Sequence, residues 1–66
     1  MKIVVNGEQF EVPDGSSITH LLAQFDLLNE RVAVERNGDI VKKDNYSTTL
    51  FEEGDTIEVV RFVGGG

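Results

Sequence analysis

The sequence predicts an α+β domain in which one mixed sheet of four to five strands carries a single helix across one face. Three observations carry this. Five short segments are rich in β-branched residues or alternate polar with apolar; only one stretch repeats its apolar residues at helical spacing; and two Asn-Gly pairs, at 6–7 and 37–38, separate strand-like segments. A chain of 66 residues makes one domain, with no room for a second.

Residues 2–6, Lys-Ile-Val-Val-Asn, form the first strand, because β-branched side chains suit a pleated surface. Asn6-Gly7 then turns the chain, since both residue types tolerate the positive φ of a tight hairpin. In residues 8–12, Phe10 and Val12 share one face and Gln9 and Glu11 the other, as period-two alternation requires. Pro13-Asp14-Gly15 ends this hairpin because proline cannot donate to a ladder and Asp-Gly favours a turn. Ser17 is the expected N-cap of a helix over about 18–25. Within it Ile18, Leu21, Leu22 and Phe25 fall at i, i+3, i+4 and i+7, one helical face. His20 lies off that face and reads as solvent-exposed.

Residues 26–31 connect onward, and Leu27 or Leu28 is expected to cover the open edge of the core. Residues 32–36 are a third strand, Asn37-Gly38 a second hairpin turn and residues 39–42 a short fourth strand. Residues 43–50 are polar, with Tyr46 as their one ring, and read as a loop with a helical turn in it. The turn 52–55 precedes a last strand from Thr56 to about Phe62. Gly7, Gly15, Gly38 and Gly54 each punctuate a turn, whereas Gly64, Gly65 and Gly66 have no turn to serve. The organisation expected is therefore a domain over 1–63 and a flexible glycine tail over 64–66.

An amphipathic helix with one apolar face lies across one face of a single sheet. A grasp arrangement satisfies the element order: two hairpins flank the helix, and the first and last strands run side by side in the centre. Alternation then places Ile3, Val5, Ile57 and Val59 under the helix. Val4, Val60 and Phe62 are left on the open side, with Ala33 extending them, as one apolar patch leading into the tail. A clustered apolar surface of that kind is expected to meet a partner, and Val63 continues it.

Composition narrows the function. The chain has no cysteine and one histidine, so neither a disulfide nor a structural zinc site is available. No apolar run approaches the roughly 20 residues that span a membrane, and the N-terminus lacks a signal-peptide core; the expectation is a soluble, cytoplasmic protein. Twelve acidic against six basic residues give a net charge of −6, which repels nucleic acid. The acidic groups at Glu52, Glu53 and Asp55 and at Glu8 and Glu11 point to a basic protein partner or to solubility alone.

With these elements in place, the stretch Val-Ala-Val-Glu at 32–35 followed by Asn37, the segment at 53–60 and the ending Arg-Phe-Val-Gly-Gly-Gly resemble the bacterial sulfur carrier proteins of thiamin biosynthesis, the ThiS type. The similarity covers essentially the whole chain. It implies a ubiquitin-like β-grasp fold and a carrier rather than an enzyme. It further implies that an E1-like enzyme adenylates the carboxylate of Gly66 with ATP, that a sulfur-donor protein supplies the sulfur of a thiocarboxylate, and that thiazole synthase consumes it. Gly64 and Gly65 would thread the partner's active site, and Val4, Val60, Phe62 and Val63 would line the partner contact. One departure is Arg36, where an apolar residue is usual before the asparagine; the core edge there is in question.

The chemistry is consistent with a carrier that needs no catalytic side chain. A carboxylate resists attack until adenylation supplies a good leaving group. Residues without Cβ can pass a narrow channel at any φ, and four extended residues from Val63 reach about 13 Å. Two other readings stay open at this point: a carrier for molybdopterin or another sulfur-requiring pathway, and a ubiquitin-like binding module that forms no thiocarboxylate.

Overall fold

The computed structural model describes residues 1–63. Five strands and one helix follow in the order β1 (Lys2–Val5), β2 (Glu8–Glu11), α1 (Ile18–Gln24), β3 (Val32–Arg36), β4 (Asp39–Val41) and β5 (Thr56–Arg61), with one turn of 3-10 helix, Lys43–Asn45, before β5. The strands make a single sheet ordered β2-β1-β5-β3-β4. β1 and β5 are parallel neighbours in its centre, and every other pairing is antiparallel. This is a β-grasp fold.

Both hairpins turn as their Asn-Gly pairs require. Asn6 and Gly7 have φ of 51° and 84°, Asn37 and Gly38 51° and 87°. Two successive residues at positive φ give a turn whose twist matches that of the flanking strands.

Helix α1 is only seven residues long, too short to hold itself together. Its N-terminal amides are met from outside. The Ile18 N–H donates to the Thr49 carbonyl at 3.2 Å and the Thr19 N–H to the Tyr46 carbonyl at 3.1 Å. Ser17 accepts from the His20 N–H, and His20 Nδ1 accepts from the Ser17 N–H at 3.0 Å. His20 thus completes a capping box in the place normally taken by Glu or Gln. It is exposed, as its position off the apolar face requires, but it also fixes the helix start, a role its spacing from Ser17 could have suggested.

The helix ends at Phe25, and Asp26 takes φ of 60°. The Leu27 N–H reaches back to the Leu22 carbonyl at 2.7 Å and the Asp26 N–H to that of Ala23 at 3.0 Å. This is a Schellman closure with aspartate where glycine is usual.

Ile3, Val5, Val34 and Ile57 pack from the sheet against Ile18, Leu21 and Leu22 of the helix, all buried. Val59, Leu27 and Phe10 are half-buried against this core, and Phe10 meets Phe25 edge-to-face with ring centroids 5.3 Å apart. Leu27, and not the exposed Leu28, covers the core edge. The polar stretch 43–50 contributes more than a loop: Tyr46 is buried in the core and its hydroxyl lies 3.5 Å from the Val32 carbonyl. The same stretch therefore caps the helix and fills the core beneath it.

Candidate functional site

The site is built around β5, the strand that leads toward the C-terminal glycines. Its first half lies between β1 and β3, with Val5 beside Ile57 in one ladder and Arg36 beside it in the other. β1 stops at Val5, so β5 outruns it. From there the Asn6 side chain takes the place of a strand: its amide donates to the Val59 carbonyl at 3.1 Å and its Oδ1 accepts from the Val59 N–H at 2.8 Å. The other hairpin asparagine grips the start of β5 in the same way. Asn37 Oδ1 accepts from the Thr56 N–H at 2.9 Å, and its amide donates to Asp55 Oδ1 at 3.0 Å. Each asparagine thus supplies both a positive φ and a side-chain clamp on β5.

Asp55, the residue before β5, is the charged anchor of this arrangement. It is buried, and burial pushes its carboxyl up. The Glu52 N–H, the Asn37 amide and the Arg36 guanidinium together outweigh that, holding it below the ordinary 3.8. The Glu52 N–H donates at 2.8 Å and Arg36 Nε at 2.9 Å, both to Oδ2. Arg36 also reaches Glu52 at 3.4 Å. Here the core edge left in question by Arg36 is resolved: alternation along β3 places this residue on the helix side with Val34, and an ion pair to a buried carboxylate replaces an apolar contact. The acidic group 52–55 is correspondingly occupied within the fold, since Glu53 also accepts from the Lys2 N–H at 3.1 Å.

The last backbone tie on β5 is the Phe62 N–H to the Arg31 carbonyl, 2.9 Å. Beyond it Val63 is 86% exposed. Gly64, Gly65 and Gly66, expected to carry the chemistry and the threading, lie outside the described residues, as does the expected tail over 64–66.

The expected contact residues are exposed to different degrees and are not brought together as one patch. Val4 is half-buried and stands beside Thr56. Val60 is four residues further along β5, about 13 Å at strand rise, where it faces Ala33 and is 52% exposed. Phe62, 56% exposed, lines a groove of about 500 Å³ on the helix side with Leu22, Leu27, Leu28 and Val32. The parallel register of β1 on β5 separates Val4 from Val60, and Phe62, just past the end of β5 at Arg61, turns to the helix side; no feature of either strand alone reveals either offset. What does follow β5 outward is a pair of apolar surfaces, Val60 with Ala33 on the open face and Phe62 in the groove.

Among the described residues, no three His, Asp or Glu side chains come together to hold a metal ion, and no helix is long and apolar enough to cross a membrane.

These features define a small β-grasp domain whose central strand is held on both sides as far as Val59 and on the β3 side as far as Phe62. The ThiS family model matches residues 3–66, and the chain belongs to the ThiS family. The sulfur carrier protein ThiS of Bacillus subtilis is 45% identical over 53 residues, covering 80% of each chain. A thiazole synthase of Paramagnetospirillum magneticum is 39% identical over all 66 residues; the chain spans 20% of that relative's length, and also 20% of a thiazole synthase of Magnetococcus marinus. The crystal structure of a thiamine biosynthesis protein, ThiS, from Geobacter metallireducens superposes over the whole of both chains with a TM-score of 0.82 and 30% identity.

Proposed function

We propose that this chain is a sulfur carrier of thiamin biosynthesis whose reactive group is the carboxylate of Gly66. The observation that supports this best is the extent of the family match, which runs from Ile3 through the last glycine. In this reading an E1-like enzyme binds ATP, the Gly66 carboxylate attacks the α-phosphorus, and pyrophosphate leaves. A sulfide-level sulfur from a donor protein then attacks the acyl carbon, AMP leaves, and a thiocarboxylate remains for thiazole synthase to consume. The thiazole synthase relatives that contain a stretch like this chain support that enzyme as the acceptor. The chain itself binds no cofactor, takes part as a protein cosubstrate, and works in the cytoplasm.

The fold's contribution is mechanical. Asn6, Asn37 and the β3 ladder hold β5 through Phe62, which gives the segment from Val63 a fixed origin. Gly64 and Gly65 then pass the partner's channel, where a Cβ would collide or restrict φ.

Intact-mass analysis tests the reading. After incubation with the adenylating enzyme, ATP and a sulfur source, a species heavier by the exchange of one oxygen for one sulfur is expected, localised to Gly66. Its absence, with the adenylating enzyme shown to be active, defeats the carrier reading in favour of a ubiquitin-like binding module. Sulfur passed to a molybdopterin precursor and not to thiazole synthase would reassign the pathway.

A further inference from the structure

Asn37 and Gly38 hold a reaction as well as a turn. A side-chain amide one residue before glycine neighbours a backbone nitrogen that no Cβ shields, and that nitrogen can attack the amide carbon. Gly38 stands open: a Cβ built on it would meet no atom within 4 Å. Space is therefore present for the ring that such an attack forms and for the water that later opens it. The hairpin around this pair is the less deeply held part of the sheet. β4 has three residues, lies at the sheet edge, and leaves Asp39 and Ile40 exposed. A segment with so few buried contacts opens before the core does.

The clamp on β5 restrains the reaction. Asn37 Oδ1 accepts from the Thr56 N–H at 2.9 Å, and the Asn37 amide donates to Asp55 Oδ1 at 3.0 Å. The Asn37 N–H donates to the Thr56 carbonyl at 2.7 Å. Both polar atoms of the side-chain amide are committed to the start of β5, so ring closure waits until they let go.

We propose that Asn37 is a deamidation site gated by opening of the β3–β4 hairpin, and that its product cannot re-form the clamp. The Gly38 nitrogen forms a bond to Asn37 Cγ, the Cγ–Nδ2 bond breaks, and ammonia leaves with the proton lost by Gly38. Water then adds to one carbonyl of the succinimide and opens it to aspartate or isoaspartate. Nothing is oxidised or reduced, and water is the co-reactant.

Asp55 makes this conversion consequential. Aspartate at position 37 sets an oxygen anion where an N–H donor stood 3.0 Å from Asp55 Oδ1. Asp55 is buried, and its cation, Arg36, is already shared with Glu52. Two carboxylates at that separation strongly disfavour double ionisation. Isoaspartate adds a backbone methylene to a two-residue turn set by φ of 51° and 87°, and so shifts the register of the hairpin. At the other Asn-Gly pair the Asn6 amide donates to the neutral Val59 carbonyl, so aspartate there loses a donor without gaining this repulsion.

Peptide mapping by mass spectrometry of the full chain, incubated in mildly alkaline buffer with and without denaturing urea, tests the gating. Exchange of NH for O is expected at Asn37 in both, slower in the native chain by between about tenfold and about a thousandfold. In urea Asn29 and Asn45 should lag behind it, because Glu30 and Tyr46 follow them and carry side chains that hinder the attack. Thermal melts test the consequence. Asn37→Gly loses the clamp but keeps the turn conformation accessible, and Asn37→Asp adds the charge; the latter should melt at least about 5 °C below the parent, with Asn37→Gly between them. Less slowing than that range means the clamp does not gate the reaction, and more means that only global unfolding exposes Asn37; either overturns the proposal. So does Asn37→Asp melting at or above Asn37→Gly, or Asn37 converting in urea no faster than Asn29 and Asn45.

Discussion

The clamp that Asn6 places on β5 can be dissected by two substitutions. Asn6 contributes two hydrogen bonds to Val59, at 3.1 and 2.8 Å, both at an exposed residue, so each adds about 0.5–1 kcal/mol over bonds to water. Asn6→Gly removes them but keeps the left-handed conformation accessible, and a loss of about 1–2 kcal/mol is expected from the bonds. Asn6→Ala removes the same bonds and must also hold φ near 51° with a Cβ in place, which adds about 1 kcal/mol. For a domain of this size each kcal/mol moves the melting temperature by about 4–8 °C, so thermal unfolding ranks the parent above Asn6→Gly and Asn6→Ala lowest. Amide hydrogen exchange gives the site-specific readout: the Val59 N–H should lose protection in both variants, while the Thr56 N–H, held by Asn37, keeps it. Variants that melt within about 0.5 kcal/mol of the parent with an unchanged Val59 exchange rate would refute the clamp.

Three further outcomes follow from the same geometry. Asp55 has a folded carboxyl lower than its unfolded one, so its contribution is present above the unfolded value and disappears as pH falls through the folded value. Asp55→Asn should therefore destabilise the domain at neutral pH by about 1–3 kcal/mol, and the difference from the parent should narrow on acidification below about pH 4 in a pH series of thermal melts. Asp26→Gly relieves a non-glycine residue at φ of 60° in a Schellman closure and should raise stability by up to about 1 kcal/mol, measured by urea unfolding. Phe62→Asp changes a residue that is 56% exposed; it should lower stability by less than about 1 kcal/mol while reducing partner affinity by more than tenfold in a pull-down titration, and the reverse pattern would make Phe62 a core residue.

Much of the fold is legible in the chain because it is written in local chemistry. Asn-Gly at 6–7 and 37–38 specifies hairpin turns by tolerance of positive φ. The spacing of Ile18, Leu21 and Leu22 specifies a helix face, and alternation in β1 and β5 assigns Ile3, Val5 and Ile57 to the core. Residues 43–50 were not legible in the same way. A polar segment with one tyrosine carries no period, and its carbonyls at Tyr46 and Thr49 become helix caps only when the chain folds back over α1.

The candidate site divides along the same line. Residue order alone places a glycine run after a β-branched strand and marks Val60, Phe62 and Val63 as apolar residues near the end. Tertiary structure decides which of them stand together. Parallel pairing sets Val4 beside Thr56 and away from Val60, antiparallel pairing sets Glu35 against Glu58, and the clamps of Asn6 and Asn37 on β5 exist only across the sheet. Spacing along a strand fixes the face on which a side chain lies, but its neighbours on that face depend on register between segments more than 20 residues apart, a long-range choice made by the packing of the whole core.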